Sequence, residues 1–264
     1  MLKIKDSVTI VTGSSSGIGA ATVRALAEHG GHVVINYSKS AAAAEQVAAD
    51  CAKHGVETLV LQADVGTDEG RQKLVDETMA KFGRITGLVN NAGTTKFVDH
   101  SNLAGLSEED FHTIYHLNVI APFMMSRAVE EPMRAGGTGS IVNISSVAGV
   151  MGGGSCIAYA ASKGALNTMT LSLARVLGPE IRVNTVCPGF VIGEWLRQGM
   201  GDEKYDATRK NLAENTALKK PGGSAEEMAE PVVWFLYGAS HTTGEFMIAD
   251  GGMTLGQALS LIHI

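Results

Sequence analysis

The chain has 264 residues, of which 45% are hydrophobic, so it can bury a sizeable core within one large α/β domain. Its 21 basic and 27 acidic residues give a formal net charge of -6, and no basic block indicates nucleic-acid binding. No apolar run is long enough to span a membrane, and Cys51, Cys156 and Cys187 lack the spacing of a metal or redox site. We therefore expect a cytoplasmic protein that holds no metal and acts on a small molecule, not on nucleic acid or a membrane.

The N-terminal segment reads as a strand, a glycine-rich loop and a helix. Residues 7–12 form a short β-branched run, and an alanine-rich helix is predicted over residues 20–29. The loop between them has glycines at Gly13, Gly17 and Gly19. Glycine lets backbone N–H groups and a helix N-terminus approach a pyrophosphate, because a Cβ would block that approach. The loop predicts a dinucleotide site, although a plain tight connection between strand and helix has the same appearance.

The end of the second predicted strand, residues 32–36, bears on which dinucleotide is bound. An acidic residue at this point binds the ribose 2′-OH of NAD, whereas a basic one accommodates the 2′-phosphate of NADP. The sequence has Tyr37, Ser38 and Lys39 here and no acid. The pattern favours NADP and leaves NAD possible, since Lys39 could also be an ordinary exposed lysine.

Polar and small residues follow two strands in the middle of the chain. Asp64 and Val65 come after a predicted strand at residues 56–62, and Asn90-Asn91-Ala92-Gly93 follows one at residues 85–89. Such residues suit loops that contact a ligand, although the second motif could equally be a turn. The helices predicted in this part cover residues 40–54, 67–82 and 107–133.

The long helix at residues 107–133 contains an unusual residue. Ser107 and Asp110 resemble a capping box at its start, and Pro132 is expected to bend or end it. Asn118 lies in its middle, and asparagine is a poor helix former. Asn118 is therefore either a surface residue or the mark of a local distortion with a function.

Tyr159 and Lys163 are the main candidates for chemistry. They lie four apart in a helix predicted over residues 157–177, so they share one face. An ammonium beside a phenol favours the phenolate, which would make Tyr159 a stronger acid and a proton donor for carbonyl reduction. The same spacing also occurs between solvated neighbours on exposed helices. Cys156 precedes Tyr159 closely and either lines the pocket or fills space as a small apolar residue.

The alternation of strands and helices predicts the fold class. Further strands are expected at residues 140–144, 181–186 and 245–249, with a capped helix at residues 224–238. We predict a single doubly wound, Rossmann-type α/β domain, with a parallel seven-stranded sheet flanked by helices on both faces. Ligands of such sheets bind beyond the carboxyl ends of the strands, where the polar motifs above lie.

Two segments are set apart from this pattern. Residues 194–215 have a mixed, charged composition and are interpreted as helices and loops that extend over the pocket. They form either a small substrate lid, at about residues 190–218, or a plain pair of surface helices. Residues 259–264 are interpreted as a non-native tail, so the domain is expected to span residues 1–258.

The motifs together resemble those of the short-chain dehydrogenase/reductase family, and most closely its 3-oxoacyl-carrier-protein reductases and related ketoreductases. The match extends over residues 5–253. It is carried by Gly13, Gly17, Ile18, Gly19, Asp64, the Asn90-Asn91-Ala92-Gly93 motif, Asn118, Ser146, Tyr159, Lys163, Pro188, Gly189 and Asp250-Gly251-Gly252.

The resemblance implies four catalytic residues. Tyr159 would exchange the proton with the carbonyl oxygen, and Lys163 would lower the phenol's pKa and bind the nicotinamide ribose. Ser146, rather than Ser145, would hold the substrate oxygen, because it stands thirteen residues before Tyr159. Asn118 would hold a water that links Lys163 to solvent.

The resemblance also implies a cofactor site and a homotetramer. Two departures from the family pattern are Gly193, where a threonine is frequent, and Ser16, where NADP-preferring members often carry Arg or Lys. The cofactor-binding residues expected are Gly13, Ser15, Ser16, Gly17, Ile18, Gly19, Tyr37, Ser38, Lys39, Asp64, Val65, Asn91, Ala92, Gly93, Tyr159, Lys163, Pro188, Gly189 and Val191.

The expected activity is hydride transfer between NADP(H) and a carbonyl or secondary alcohol, with reduction of a ketone or 3-oxo ester favoured. The substrate pocket is expected at residues 94–97, 151–156 and 190–200, whose apolar composition suggests an uncharged or hydrophobic carbonyl compound. The alternatives are an NAD-linked alcohol dehydrogenase of the same family, a non-catalytic dinucleotide sensor, and a nucleotide-sugar epimerase or dehydratase.

Overall fold

A parallel sheet forms the centre of the computed structural model, which describes residues 4–256. Its strands are β1 (Val8–Val11), β2 (His32–Tyr37), β3 (Thr58–Gln62), β4 (Gly87–Asn90), β5 (Gly139–Ile144), β6 (Ile181–Pro188) and β7 (Phe246–Ala249). The order across the sheet is β3-β2-β1-β4-β5-β6-β7, and every neighbouring pair is parallel. The predicted seven-stranded, doubly wound sheet is confirmed. The segment interpreted as a non-native tail, residues 259–264, lies outside the described residues.

Helices cover both faces of the sheet. They are α1 (Gly17–Glu28), α2 (Ala41–Ala52), α3 (Asp68–Phe82), α4 (Glu108–Tyr115), α5 (Ala121–Ala135), α6 (Ala148–Met151), α7 (Ile157–Leu177), α8 (Glu194–Met200), α9 (Asp202–Asn215) and α10 (Ala225–Val233). Helices α1, α2 and α10 pack on one face, and α3, α5 and α7 on the other.

Each face buries its own apolar cluster. Side chains of a strand alternate between the two faces, so Val8 and Ile10 of β1 join one cluster while Val11 joins the other. Because helices cover both faces, every residue of β1 and β5 is buried, including the polar Thr9, Ser140 and Asn143.

The helix predicted over residues 107–133 is divided. Its two parts, α4 and α5, are separated by a π-helical turn at His116–Ile120, and Asn118 is fully buried in that turn. Of the two alternatives for Asn118, the local distortion is therefore confirmed. Pro132 lies inside the last turn of α5, which ends three residues later at Ala135. The capping box between Ser107 and Asp110 is present as predicted.

One other local prediction needs correction. Helix α1 starts at Gly17, three residues earlier than predicted, so part of the glycine loop is its first turn. The short helix α6 was not predicted. Residues 194–215 form two helices, α8 and α9, and the predicted helix at residues 224–238 ends in a π-helical turn at Trp234–Gly238, after Pro231.

A chain of buried polar side chains links three strands and one helix under the loops of the site. Asn90 Nδ2 donates to Asn143 Oδ1 (2.8 Å), Asn143 Nδ2 donates to Thr170 Oγ1 (2.9 Å), and Thr170 shares a hydrogen bond with Thr185 (2.7 Å). Buried polar groups that are fully paired fix one arrangement of the elements that carry them. Within residues 4–256, no helix is both long and apolar enough to span a membrane.

Candidate active site

The glycine loop lies between the carboxyl end of β1 and the first turn of α1. Gly13 adopts φ +62°, a conformation that favours glycine, and a Cβ there would lie 3.1 Å from the Cα of Ala92. A Cβ on Gly19 would lie 2.6 Å from Asn91 Nδ2 and 2.8 Å from the Cα of Ser14. The first N–H groups of α1 have no partner inside the helix, so this end is suited to bind a phosphate.

The Asn91 side chain holds this loop in place. Its Nδ2 donates to the carbonyl oxygens of Thr12 (2.9 Å) and Gly13 (3.0 Å). The Thr12 hydroxyl in turn accepts from the backbone N–H groups of Asn91 and Ala92, both at 3.0 Å. The predicted Asn91-Ala92-Gly93 loop is therefore joined to the glycine loop by four hydrogen bonds.

Asn36, the penultimate residue of β2, is a further support that the sequence analysis missed. Its Oδ1 accepts from Gly13 N (3.0 Å), and its Nδ2 donates to Ala63 O (2.9 Å). It thus fixes the glycine loop relative to the end of β3. An asparagine in an otherwise apolar strand, one residue before its end, was the available signal.

The residues that follow β2 and β3 differ in whether they line the cavity. Ser38, Asp64 and Val65 line the cavity at the edge of the sheet, whereas Tyr37 and Lys39 are not among its lining residues. Lys39 is exposed. The structure therefore brings one of the three predicted β2-end residues to the cavity wall.

Tyr159 and Ser146 face each other across a close contact between α6 and α7. A Cβ on Gly149 would lie 2.5 Å from the carbonyl carbon of Lys163, so only glycine allows the two helices to approach in this way. Ser146 and Tyr159 line the same cavity, where the Ser146 hydroxyl acts to lower the pKa of the phenol, and Ser146 Oγ accepts from Ala148 N (3.1 Å). The structure thus places Ser146 beside the phenol.

Ser145 has a different position from Ser146. Its hydroxyl donates to the carbonyl oxygen of Lys163 (3.2 Å) on α7 and is itself buried. Lys163 Nζ donates to Ile144 O (2.8 Å) and lies 5.5 Å from the centroid of the Tyr159 ring. The tyrosine and the lysine therefore share one helix face, as their spacing predicts.

Burial dominates the protonation of both residues. It raises the pKa of Tyr159 to about 12, and the Ser146 hydroxyl offsets only part of this effect. Burial also lowers the pKa of Lys163 to about 8. The net shift of the Tyr159 pKa is upward because desolvation is the largest effect, and the ammonium of Lys163 bonds to Ile144 O. A lowering of the phenol's pKa by Lys163 stays a prediction.

Asn118 supports the loop beside Tyr159. Its Oδ1 accepts from Thr94 N (2.8 Å), and its Nδ2 donates to Thr94 O (2.9 Å) and Ser162 Oγ (3.1 Å). A Cβ on Gly93 would lie 3.2 Å from Asn118 Oδ1 and 3.7 Å from Lys163 Nζ. The side chain of Asn118 is thus occupied by protein partners, and its effect on the cavity passes through Thr94.

The end of β6 closes the other side of the cavity. A Cβ on Gly189 would lie 2.7 Å from the Cβ of Asp250, so glycine is needed for this approach. Asp250 accepts from Gly252 N (2.8 Å) and Thr254 N (2.7 Å), which shapes the Asp250-Gly251-Gly252 turn. Val191 forms an isolated bridge with Gly223, which anchors the start of the following excursion.

One cavity of about 1280 Å³ collects most of the predicted site. Five predicted residues, Ser15, Gly19, Tyr37, Lys39 and Asn118, are outside its lining. The predicted residues that line it are Gly13, Ser16, Gly17, Ile18, Ser38, Asp64, Val65, Asn91, Ala92, Gly93, Ser146, Tyr159, Lys163, Pro188, Gly189 and Val191.

The wall of the cavity also contains residues that sequence reasoning missed. Val98, His100, Lys204 and Met253 line it, and no motif in the sequence marks them. Cys156, in contrast, is buried and accepts from Tyr159 N (3.4 Å) at the start of α7. It is a helix-capping core residue, not a wall residue.

Comparison with known proteins agrees with this geometry. A family model described as enoyl-(acyl carrier protein) reductase matches residues 13–254. The chain belongs to the short-chain dehydrogenase/reductase family. It is therefore an oxidoreductase, and the resemblance drawn from its motifs is confirmed.

Relatives and solved structures of this dehydrogenase/reductase family cover nearly the whole chain. A 3-oxoacyl-[acyl-carrier-protein] reductase of Synechocystis sp. is 33% identical, with 97% of this chain and 100% of the relative covered. Another from Pseudomonas aeruginosa is 34% identical, with 96% and 99% covered. The crystal structure of an NAD+-bound xylitol dehydrogenase superposes with a TM-score of 0.85 at 28% identity, covering 95% of this chain and 100% of that one.

Proposed function

We propose that the protein is an NADP(H)-linked reductase of a ketone or 3-oxo ester, with Tyr159 as the proton donor. The observation that carries the proposal is the meeting of Ser146, Tyr159 and Lys163 in the cavity that also extends along the glycine loop. The named relatives that reduce 3-oxoacyl groups support the carbonyl substrate.

The side chains suit the reductive direction. A substrate carbonyl oxygen between Tyr159 and Ser146 would accept a hydrogen bond from each hydroxyl, which polarises the carbonyl. Because burial raises its pKa, Tyr159 keeps its proton at neutral pH and has it available for the oxygen. The nicotinamide cofactor supplies the hydride. Lys163, held by Ile144 O, adds positive charge next to the phenol.

The residues around the glycine loop fit a dinucleotide. A Cβ at Gly13 would fill space beside Ala92, and one at Gly19 would fill space beside Asn91. Ile18, in the first turn of α1, lines the cavity, so the N-terminus of this helix faces it. Gly13, Ser16, Gly17 and Ile18 would therefore hold the pyrophosphate. Further along the cavity, Asp64, Val65, Asn91, Ala92 and Gly93 would hold the adenosine and ribose, and Lys163, Pro188, Gly189 and Val191 the nicotinamide end.

NADP is the preferred cofactor in this proposal, and NAD remains a possible one. Ser38 lines the cavity, no acid follows β2, and the exposed Lys39 is adjacent. We expect kcat/KM to be higher with NADPH than with NADH, and Lys39→Ala to reduce the NADPH value about threefold to tenfold with little change for NADH. If the ratio of kcat/KM with NADPH to that with NADH is the same before and after the substitution, Lys39 does not contribute to the choice of cofactor.

Substitution of Tyr159 tests the catalytic role. Tyr159→Phe removes the hydroxyl and should keep NADPH binding, measured by cofactor fluorescence, while carbonyl-dependent NADPH oxidation falls by at least a hundredfold. Tyr115→Phe, a tyrosine outside the cavity lining, is the matched control. A Tyr159→Phe variant with most of its activity would exclude Tyr159 as the acid. Tight NADPH binding without oxidation on any carbonyl would favour the sensor alternative.

Assembly as a homotetramer belongs to the same proposal. Phe111 on α4, Ile120 on the π turn and Phe123 on α5 expose 37%, 44% and 42% of their surface, and Val176 exposes 66% on α7. Apolar surface of this kind indicates a protein interface. Light scattering of the full chain and of Phe123→Asp would test it, since the charge should dissociate the assembly.

A further inference from the structure

Helix α8 lies over the substrate side of the cavity without burying any of its residues. Trp195 and Gly199 are four positions apart, so they lie on one face of this helix, and both line the cavity. Trp195 exposes 52% of its surface. The helix thus presents a large aromatic ring and a bare backbone position to the same space.

The ring of Phe97 occupies the bare position. A Cβ on Gly199 would lie 1.9 Å from Phe97 Cε2 and 2.2 Å from Phe97 Cζ, so the ring can rest on α8 only because residue 199 is glycine. The rings of Phe97 and Trp195 meet edge to face, with centroids 5.9 Å apart and an angle of 65°. Trp195 and Phe97 together form what we name the aromatic wall.

This wall stands next to the proton donor. The centroids of Trp195 and Tyr159 are 6.4 Å apart, at an angle of 51°. A substrate whose carbonyl oxygen reaches Tyr159 therefore places the atoms next to that carbonyl beside the indole ring.

The opposite side of α8 fixes the orientation of Trp195. Arg197 forms ion pairs with Asp202 (2.7 Å) and Asp206 (3.6 Å), and its guanidinium lies 4.5 Å from the centroid of the Tyr205 ring. Gly193 N donates to Tyr205 Oη (3.1 Å). These contacts join α8 to α9, so Trp195 and Gly199 keep their face toward the cavity.

We infer that the aromatic wall selects flat ring ketones over linear aliphatic ketones of equal carbon number, and that Trp195 is the main specificity-determining residue. The inference rests on the proposed carbonyl reduction. An aromatic ring gains from stacking or edge contact with another ring beyond the area it buries, and the effect corresponds to about a twofold to tenfold change in affinity. A flexible aliphatic chain gains free energy only from the apolar area that it buries, and it also loses rotational freedom about its bonds when it binds.

A matched pair of ten-carbon ketones tests this inference. We expect 2-tetralone to have at least a tenfold higher kcat/KM than 2-decanone with NADPH. Trp195→Leu should reduce the 2-tetralone value about tenfold, mainly through KM, and the 2-decanone value less than threefold. Trp195→Phe should restore most of the loss. Trp234→Leu, at the other tryptophan of the chain and outside the cavity lining, should leave the ratio unchanged. An equal loss for both ketones in Trp195→Leu would overturn the inference.

A binding measurement separates this inference from the proposed function. In a Trp234→Phe background, Trp195 is the remaining tryptophan, and its fluorescence should be quenched by 2-tetralone at concentrations at which 2-decanone has little effect. If no ketone supports NADPH oxidation but this quenching occurs, the proposed reaction fails and the stacking surface stands. Turnover of both ketones without selective quenching would reject the aromatic wall alone.

Gly199→Ala probes the contact between α8 and Phe97. The added Cβ must displace the ring or lift the helix, so KM for 2-tetralone should rise severalfold and the Trp195 emission should shift. Gly136→Ala is the matched control, because Gly136 is exposed, has φ -76° and meets no atom closer than 3.4 Å with a Cβ. Since α8 buries no residue, both variants should unfold at nearly the wild-type temperature. An unchanged KM in Gly199→Ala would show that Phe97 does not set the shape of the site.

Discussion

Replacing Lys163 by methionine should remove a pH-dependent destabilisation of the fold by this buried lysine. Lys163 is 5% exposed, and burial lowers the pKa of its ammonium from 10.5 to about 8. Between these two values the unfolded chain holds more protons than the native protein, so the wild type gains stability as pH rises. Methionine has a similar length and no charge, and its variant should lack this pH dependence.

The size of the effect follows from the two pKa values. At pH 7 the buried charge of Lys163 costs about 3 kcal/mol, and at pH 10 about 1 kcal/mol remains. Loss of the hydrogen bond to Ile144 O costs the variant about 1.5–3 kcal/mol at pH 7, where the lysine is charged. Any change in this bond on deprotonation is already contained in the pKa shift. The wild type and Lys163→Met should therefore have similar free energies of unfolding at pH 7. By pH 10 the difference between them should move by about 2–3 kcal/mol in favour of the wild type.

Urea unfolding of wild type and Lys163→Met at pH 7, 8, 9 and 10 measures this change directly, because constant differences between the two proteins cancel. Lys210→Met removes an equal charge from the exposed surface of α9 and serves as the control. A difference between wild type and Lys163→Met that stays constant over this range, or moves in favour of the variant, would refute the assigned burial of a charged lysine.

Two further substitutions test the supports of the site. Gly19→Ala should weaken NADPH binding about tenfold to a hundredfold in a fluorescence titration, because overpacking against Asn91 and Ser14 costs about 1–3 kcal/mol; an unchanged affinity would mean that the loop does not need this contact. Asn118→Ala should lower the free energy of unfolding by about 2–4 kcal/mol, since three hydrogen bonds to Thr94 and Ser162 are lost; a loss below about 1 kcal/mol in urea unfolding would contradict this.

The sheet was predictable because its signals are local and repeated. The strands contain short runs of β-branched and other apolar residues, as in β1, and some helices between them begin at a recognisable cap, such as Thr67 before α3. Parallel strands joined by helices have few possible arrangements, since the crossovers are right-handed. The alternation of strands and helices was therefore enough to predict a parallel, doubly wound sheet, although the order of its strands was not predicted.

The distortion at Asn118 was predictable only in part. A poor helix former in a long helix indicates that something unusual occurs there, but it does not say what. The reason lies 24 residues earlier in the chain, in the backbone N–H and C=O of Thr94, which the asparagine amide satisfies. The division of α4 from α5 by a π turn follows from a tertiary contact that no local pattern contains.

The wall of the cavity was predicted where it lies close to a motif, and the expected substrate segments at residues 94–97, 151–156 and 190–200 also contribute residues to it. Ser38, Asn91 and Tyr159 follow strands or start helices, so the topology places them at one edge of the sheet. Lys204 and His100 reach the same cavity from α9 and from the loop after β4. Their positions depend on how far the α8–α9 excursion folds back, which depends in turn on contacts such as Gly199 with Phe97.

The protonation of Tyr159 shows where spacing on a helix is an insufficient guide to chemistry. The i, i+4 relation brings Lys163 to the correct face, but the sign of the pKa shift depends on what surrounds the pair. Here the same burial acts on both residues and in both cases disfavours charge, raising the pKa of the phenol to about 12 and lowering that of the ammonium to about 8. At neutral pH the phenol therefore holds its proton, and the ammonium is still mostly charged. The reverse reaction must first remove the Tyr159 proton, so alcohol oxidation should become relatively faster as pH rises, whereas ketone reduction should not.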